Sequence, residues 1–162
     1  MLDEQVVLQI RFELTQIERL LTSYQDLLAR FIPMPESEPT LPTLIETTAL
    51  ASVLHSFYTG VENIFQLIAK HLDQQPLAGE RWHRDLLDQM SQATGERAAL
   101  LTAETGKRLR EYLAFRHFYR HAYSSFLDWR RLALLAAPLP ELIKTIQAEV
   151  ETWLCQAASS QQ

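Results

Sequence analysis

The chain has 162 residues, a length that predicts one domain whose core can be stable without disulfides or bound metals. Hydrophobic residues make up 47% and charged residues 22%, and the formal net charge of −5 argues against a general nucleic-acid-binding protein. The single cysteine, Cys155, excludes an intramolecular disulfide and a multi-cysteine metal site, and we expect it to pack on the last helix.

The first half of the chain predicts two long helices separated by a loop. Apolar residues recur every three or four positions over about residues 3–32, which is typical of an amphipathic helix. The segment PMPESEPTLP, residues 33–42, contains four prolines and predicts a loop. A second helix is predicted over about residues 42–72. Gly60 lies in its middle, where glycine costs about 1 kcal/mol against alanine, so a close approach of another helix would explain it.

The second half predicts shorter helices. A loop is expected at 73–80, a short helix at about 82–93, a turn in QATGERAALL, and a fourth helix from about 103 into the segment LAFRHFYRHAYSSF. APLP, residues 137–140, interrupts the chain before a final amphipathic helix, ELIKTIQAEVETWL. We therefore predict an all-α fold, an up-down bundle of four to five helices. It would form a single domain over 1–158 with a disordered tail at 159–162.

The expected location is the cytoplasm. The sequence begins MLDEQVVLQIRFEL, with acids where a signal peptide would carry positive charge. No apolar run approaches the roughly 18 residues that a membrane span needs, so no contact with a membrane is expected.

Positive charge is concentrated near the fourth predicted helix. From Lys107 to Arg131 there are seven lysines and arginines against two acids, a net of +5, which leaves −10 for the rest of the chain. A local basic patch on an acidic protein can still bind phosphates.

The basic segment carries a recognisable motif. In RHFYRHAY, four residues separate Arg116 from His121, and Tyr123 follows two positions later. This Arg-x4-His-x-Tyr pattern resembles the HepT-like toxins of the HEPN superfamily, which occur in HEPN/MNT toxin–antitoxin pairs. The segments LHSFYTGVENIF and RWHRDLL also resemble that family, so the resemblance covers most of the chain. One departure is His117, where many members carry a polar residue, often asparagine.

The residue types of the motif suit RNA cleavage by the 2′-hydroxyl. That reaction needs a proton acceptor, a proton donor and stabilisation of a phosphorus with five oxygens. Histidine can exchange protons near neutral pH, and arginine stays charged and can bind a phosphate with two N–H groups. Arg116 and His121 would be the catalytic pair, with no metal and no cofactor. On an unbroken helix these two residues would point about 140° apart, so either the helix bends or each reaches a cleft from its own side.

The resemblance implies further partners. Two copies of the motif would face each other in a homodimer, and a partner nucleotidyltransferase of the MNT type would attach AMP to Tyr123 and silence the toxin. No glycine-rich phosphate loop and no Gly-Ser followed by paired aspartates occurs here, so that partner would be a separate protein. The expected function is a metal-independent endoribonuclease toxin acting on RNA. The alternative is a non-catalytic helical module that binds a nucleotidyltransferase and presents its substrate, and a plain dimeric scaffold is a third possibility.

Other residues near the motif have two interpretations each. His117, Arg120, Glu62 and Tyr58 would support the site, with Glu62 in contact with the motif arginine. Alternatively, Arg116 and Arg120 would be ordinary surface charges, Glu62 a surface carboxylate and Tyr123 a packing residue. Trp82 and His83 are expected to open the third helix and pack, with a role for His83 near the site as the alternative. A metal bound by His117 and His121 would lack an adjacent acid or cysteine, Asp128 being the nearest candidate downstream.

Overall fold

The computed structural model describes residues 3–31, 41–74, 78–123 and 126–159. Within these ranges the chain forms only helices, turns and loops, which confirms the all-α prediction. The helices are α1 (Glu4–Ser23), α2 (Gln25–Ala29), α3 (Leu44–Ile68), α4 (Trp82–Met90), α5 (Ala103–Tyr119), α6 (Trp129–Ala136) and α7 (Leu139–Ser159). None of the described helices is both long and apolar enough to cross a membrane.

The first predicted helix is in fact two helices, so that prediction was wrong in detail. The break lies at Tyr24, whose φ and ψ of −112° and 17° leave the helical region. The proline-rich loop predicted at 33–42 lies largely outside the described residues. Helix α3 begins after Thr43, whose hydroxyl accepts a hydrogen bond from the Glu46 amide while the Glu46 carboxylate accepts one from the Thr43 amide.

Helix α3 is the central element, because it contacts α1, α2, α4, α5 and α6. The predicted close approach at Gly60 is confirmed, since a Cβ built there would lie 2.8 Å from Cγ1 of Ile17 on α1. A side chain on residue 60 would therefore push α1 away from α3. The absent side chain thus lets these two helices pack closely.

A π-helical turn, Ala69–Asp73, continues α3 and carries a buried ion pair. The Arg97 guanidinium donates two hydrogen bonds of 2.9 Å to the Asp73 carboxylate, and both side chains are at most 3% exposed. Arg97 also donates to the carbonyls of Gln89, Gln92 and Ala98. This arginine therefore fixes the segment between α4 and α5, which contains the predicted turn.

The motif segment ends a helix instead of continuing one. Helix α5 stops at Tyr119, whereas the sequence suggested a helix through the whole motif. Helix α6 follows, capped by the Asp128 carboxylate, which accepts from the Arg130 amide at 3.0 Å, and no separate helix was predicted there. The APLP interruption is confirmed by the start of α7 at Leu139.

Two details of the C-terminal end differ from expectation. Cys155 is exposed on α7 and does not pack into the core, so the packing role predicted for it was wrong. Helix α7 runs through Ser159, the first residue of the predicted tail, and residues 160–162 lie outside the described ranges.

Candidate functional site

Arg116 occupies the last turn of α5, where a positive charge is favourable at the negative end of the helix dipole. Its side chain is only 10% exposed and points toward α3 and α4. Nη2 lies 3.4 Å from Oε1 of Glu62, and Nη1 lies 3.5 Å from Nε2 of His83. The motif arginine is thus a buried and paired cation.

Glu62 joins Arg116 to His83. Its side chain is 3% exposed, and Oε2 lies 2.7 Å from Nδ1 of His83. Because an ionised carboxylate can only accept, Nδ1 of His83 must carry a proton. Arginine can only donate, so Nε2 of His83 faces Arg116 with its lone pair. This geometry fits the Nδ1–H tautomer of His83. The expectation that Glu62 contacts the motif arginine holds, and the interpretation of it as a surface carboxylate was wrong.

Two polar atoms beside this group are buried without a hydrogen-bond partner among the described residues. They are Nε of Arg116 and the hydroxyl of Tyr58, which lies one turn before Glu62 on α3. Burial raises the pKa of the Tyr58 phenol, and the negative charge of Glu62 raises it further. Tyr58 therefore keeps its proton, and a supporting role for it in the site stays a prediction.

His55 on α3 is close enough to Arg116 to be affected by its charge, and it was not singled out by the sequence. Its ring packs on Tyr119 with a centroid distance of 4.9 Å. Burial lowers the pKa of His55, and the positive charges of Arg116 and Arg120 lower it further. His55, Tyr58 and Glu62 follow one another at three- and four-residue spacing, which places all three on one face of α3.

The remaining motif residues are exposed around the end of α5. His117, Arg120 and His121 are all solvent-exposed, and Tyr123 is 78% exposed. His121 lies beyond the last helical residue, so the predicted 140° separation on one helix does not apply. The rings of His117 and His121 lie edge to face with centroids 6.1 Å apart.

The structure therefore brings the predicted residues together in two sets. Arg116 and Glu62 form a buried set with His83, next to Tyr58. His117 and His121 form an exposed pair. No hydrogen bond or ion pair joins the Arg116 side chain to that of His121 or Tyr123 in the part of the chain that the structure describes.

Two of the residues in the site were missed or undervalued. His83 was expected mainly to pack, and its signal was the segment RWHRDLL at the start of α4. His55 gave a weaker signal, a histidine beside the apolar stripe of α3. Among the described residues no group of three or more His, Cys, Asp or Glu side chains is arranged to hold a metal ion.

Comparison with known proteins adds one finding. A family model described as HepT-like protein matches residues 49–156, about two-thirds of the chain, from α3 to near the end of α7. No curated protein and no solved structure matches the sequence significantly. The matched region includes all three side chains of the buried set and the whole exposed motif.

Proposed function

The chain belongs to the HepT-like family, and from this premise we propose that it is a metal-independent endoribonuclease toxin of the HEPN type. The observation that carries the proposal is the arrangement at the end of α5. A cation fixed by Glu62 and His83 lies in the last helical turn, and two exposed histidines and an exposed tyrosine follow it within seven residues.

The proposed reaction needs only groups that this arrangement offers. His121 accepts the proton of the RNA 2′-hydroxyl, the 2′ oxygen attacks the adjacent phosphorus, and the bond from phosphorus to the 5′ oxygen breaks. A protonated histidine, from the same or a second copy of the motif, donates a proton to the leaving 5′ oxygen. The products are a 2′,3′-cyclic phosphate and a 5′-hydroxyl. Arg116 supplies positive charge where the phosphorane gains negative charge.

A homodimer is part of the proposal. One Arg116 and one His121 provide few catalytic groups. A dimer with its two-fold axis beside them would bring two copies of each side chain together. Large apolar side chains lie exposed in the motif and just after it, which is typical of a surface that another chain covers. They are Phe118 at 49% exposed and Phe126 at 68%. Light scattering after gel filtration should give twice the 18.7 kDa chain mass, and an active monomer would contradict the dimer.

Regulation by AMP addition is proposed for Tyr123. At 78% exposed, its hydroxyl is open to a partner enzyme, as an acceptor must be. A phosphodiester on Tyr123 would add negative charge two residues beyond His121 and compete with the RNA phosphate for nearby cations. The partner would be a separate MNT-type nucleotidyltransferase, and the proposed location of the pair is the cytoplasm.

A second candidate is a non-catalytic module that binds a nucleotidyltransferase and presents its substrate. The burial of Arg116 favours it, because a guanidinium that is 10% exposed and already faces Glu62 is less available to a phosphate. The two candidates differ in whether the chain cleaves RNA when its partner is absent. The toxin would cleave RNA, and the non-catalytic module would not.

The deciding experiment is expression without the partner, followed by RNA cleavage in EDTA. A toxin arrests growth and cleaves RNA, and His121→Ala or Arg116→Ala abolishes both while circular dichroism shows a folded protein. Arg19→Ala, an exposed arginine on α1, is the matched control. A wild-type protein that leaves growth and RNA unchanged would favour the second candidate.

A further inference from the structure

A groove between the start of α4 and the last half of α5 has no assigned role. It encloses about 550 Å³ and is lined by Glu80, Arg81, His83, Arg84, Arg110, Leu113, Ala114 and His117. We call this the α4–α5 groove. Three arginines and one glutamate give its walls a net charge of +2 with both histidines neutral, in a chain whose net charge is −5.

Two arginines of the α4–α5 groove are available for a ligand. Arg81 caps α4 and Arg84 lies one turn further on, so both project from the same face of the helix. Neither forms an ion pair or a side-chain hydrogen bond within the described ranges. Arg110 differs, because Asp88 binds it at 2.6 Å and offsets part of its charge. Unpaired guanidinium groups on one wall attract anions, and phosphates most of all.

The α4–α5 groove leads directly to the motif. His83 forms part of its wall and also contacts Arg116, with Nε2 and Nη1 3.5 Å apart. His117, on the opposite wall, follows Arg116 in sequence and packs against His121. From Arg110 to His117 the wall rises about 10 Å along α5. That length fits a short run of an extended polynucleotide that ends at the motif.

The α5 wall of the α4–α5 groove includes an apolar stretch. Leu113 and Ala114 line this wall between Arg110 and His117. Such a surface suits a single strand, whose bases pack on apolar groups while its phosphates meet arginines. A double helix would present only its backbone and would gain nothing from the apolar stretch. The shape of the groove therefore favours single-stranded RNA over duplex.

We propose that the α4–α5 groove binds the backbone of single-stranded RNA next to the bond to be cleaved, with Arg81 and Arg84 each contacting a phosphate. This inference rests on the proposed ribonuclease function and adds a substrate-binding surface to it. The groove would hold the strand, and the motif would carry out the chemistry.

The test measures the binding of a fluorescent, unstructured RNA oligonucleotide of mixed sequence by anisotropy at several salt concentrations. All proteins carry His121→Ala to prevent cleavage. Each phosphate contact on a single strand contributes about 0.7 to the slope of log K against log salt. The double variant Arg81→Ala/Arg84→Ala should therefore lower the magnitude of that slope by about 1.4. Its affinity deficit relative to the protein with both arginines should then grow roughly 25-fold for each tenfold decrease in salt.

The matched control is Arg19→Ala/Lys144→Ala, which removes two exposed positive charges from α1 and α7. If the groove binds RNA, the Arg81→Ala/Arg84→Ala variant should lose more RNA affinity than this control. Equal losses of RNA affinity would mean that only net charge matters, and would overturn the proposal that the groove binds RNA. The double variant could also keep its RNA affinity and lose binding of a nucleotidyltransferase partner. That result would mark the groove as a protein interface and would overturn the proposal as well.

Cleavage kinetics separate this inference from the proposed function. With His121 restored, Arg81→Ala/Arg84→Ala should raise KM at least tenfold and leave kcat at saturating RNA within about twofold. If wild type cleaves no RNA but binding depends on both arginines, the ribonuclease proposal fails and the groove remains. If wild type cleaves RNA and the double variant has the same KM, the proposal for the groove is wrong and the ribonuclease proposal stands.

Discussion

Glu62→Gln tests whether the buried carboxylate holds the motif arginine in place. Removing one partner of a buried ion pair costs about 3–5 kcal/mol, because the other charge stays buried and unpaired. The side chains of Glu62 and Arg116 are only 3% and 10% exposed, so this range applies. Their 3.4 Å separation is long, and glutamine still offers an oxygen to Nδ1 of His83. We therefore expect a loss of about 3 kcal/mol in the free energy of unfolding.

That loss is a large part of the roughly 5–15 kcal/mol typical of a folded domain. It should lower Tm by about 6–12 °C for a chain of this size. Urea denaturation followed by circular dichroism, at one fixed protein concentration, measures it. The second variant, Glu62→Gln/Arg116→Gln, removes both charges and should recover part of the loss.

Glu151→Gln provides the control for this prediction. Its ion pair with Arg11 is shorter, at 3.0 Å, but the two side chains are 42% and 52% exposed. An exposed pair of this kind contributes less than about 1 kcal/mol. If Glu62→Gln destabilised the protein no more than Glu151→Gln, the buried network would not hold Arg116.

Further predictions concern His55, Arg97 and Tyr123. The His55 ring should titrate below the ordinary 6.5 in NMR spectra, and Arg116→Met should raise its pKa; a midpoint at or above 6.5 would contradict the burial of this ring. Between the lowered pKa and 6.5 the unfolded chain binds the extra proton, so the free energy of unfolding should fall as pH falls through that window, and His55→Gln should flatten this dependence. Arg97→Met should cost about 3–5 kcal/mol, because it leaves the charge of Asp73 buried without its cation, with Gln89 still donating to it. The variant that stays folded at low temperature should keep full RNase activity. Tyr123→Phe should cleave RNA normally but gain no AMP from the nucleotidyltransferase and ATP in mass spectrometry, and equal silencing of this variant would mean inhibition by simple binding.

The helical fold was largely predictable, because it depends on local patterns. Apolar periodicity located the long helices, and the glycine at position 60 correctly predicted a close contact with another helix. The break at Tyr24 was not predictable, since the apolar pattern continues through it. The end of α5 at Tyr119 was also missed, because no proline or glycine marks it and the residues that follow are compatible with a helix.

The site was only half predictable from the sequence. The motif residues lie close together in the chain, so their spacing identified them. The buried set depends on contacts between residues far apart, as His83 reaches Glu62 across 21 positions and Arg116 across 33. Periodicity places Glu62 on α3, but only packing of α4 and α5 against that helix decides that its carboxylate is buried. That is why a surface position for Glu62 was reasonable and wrong. His83 opens α4 and stacks on Trp82 as expected, and only the packing of the helices shows its added contact with Glu62.

End-group analysis of cleaved RNA tests the central claim most directly. A defined single-stranded RNA is incubated in EDTA with wild type, His121→Ala, Arg116→Ala and Arg19→Ala, and the product termini are identified by mass spectrometry. The account predicts 2′,3′-cyclic phosphate and 5′-hydroxyl ends from wild type and Arg19→Ala, and intact RNA from the two motif variants. Cleavage by folded His121→Ala at the wild-type rate, products with 5′-phosphate ends, or no cleavage by wild type would contradict it.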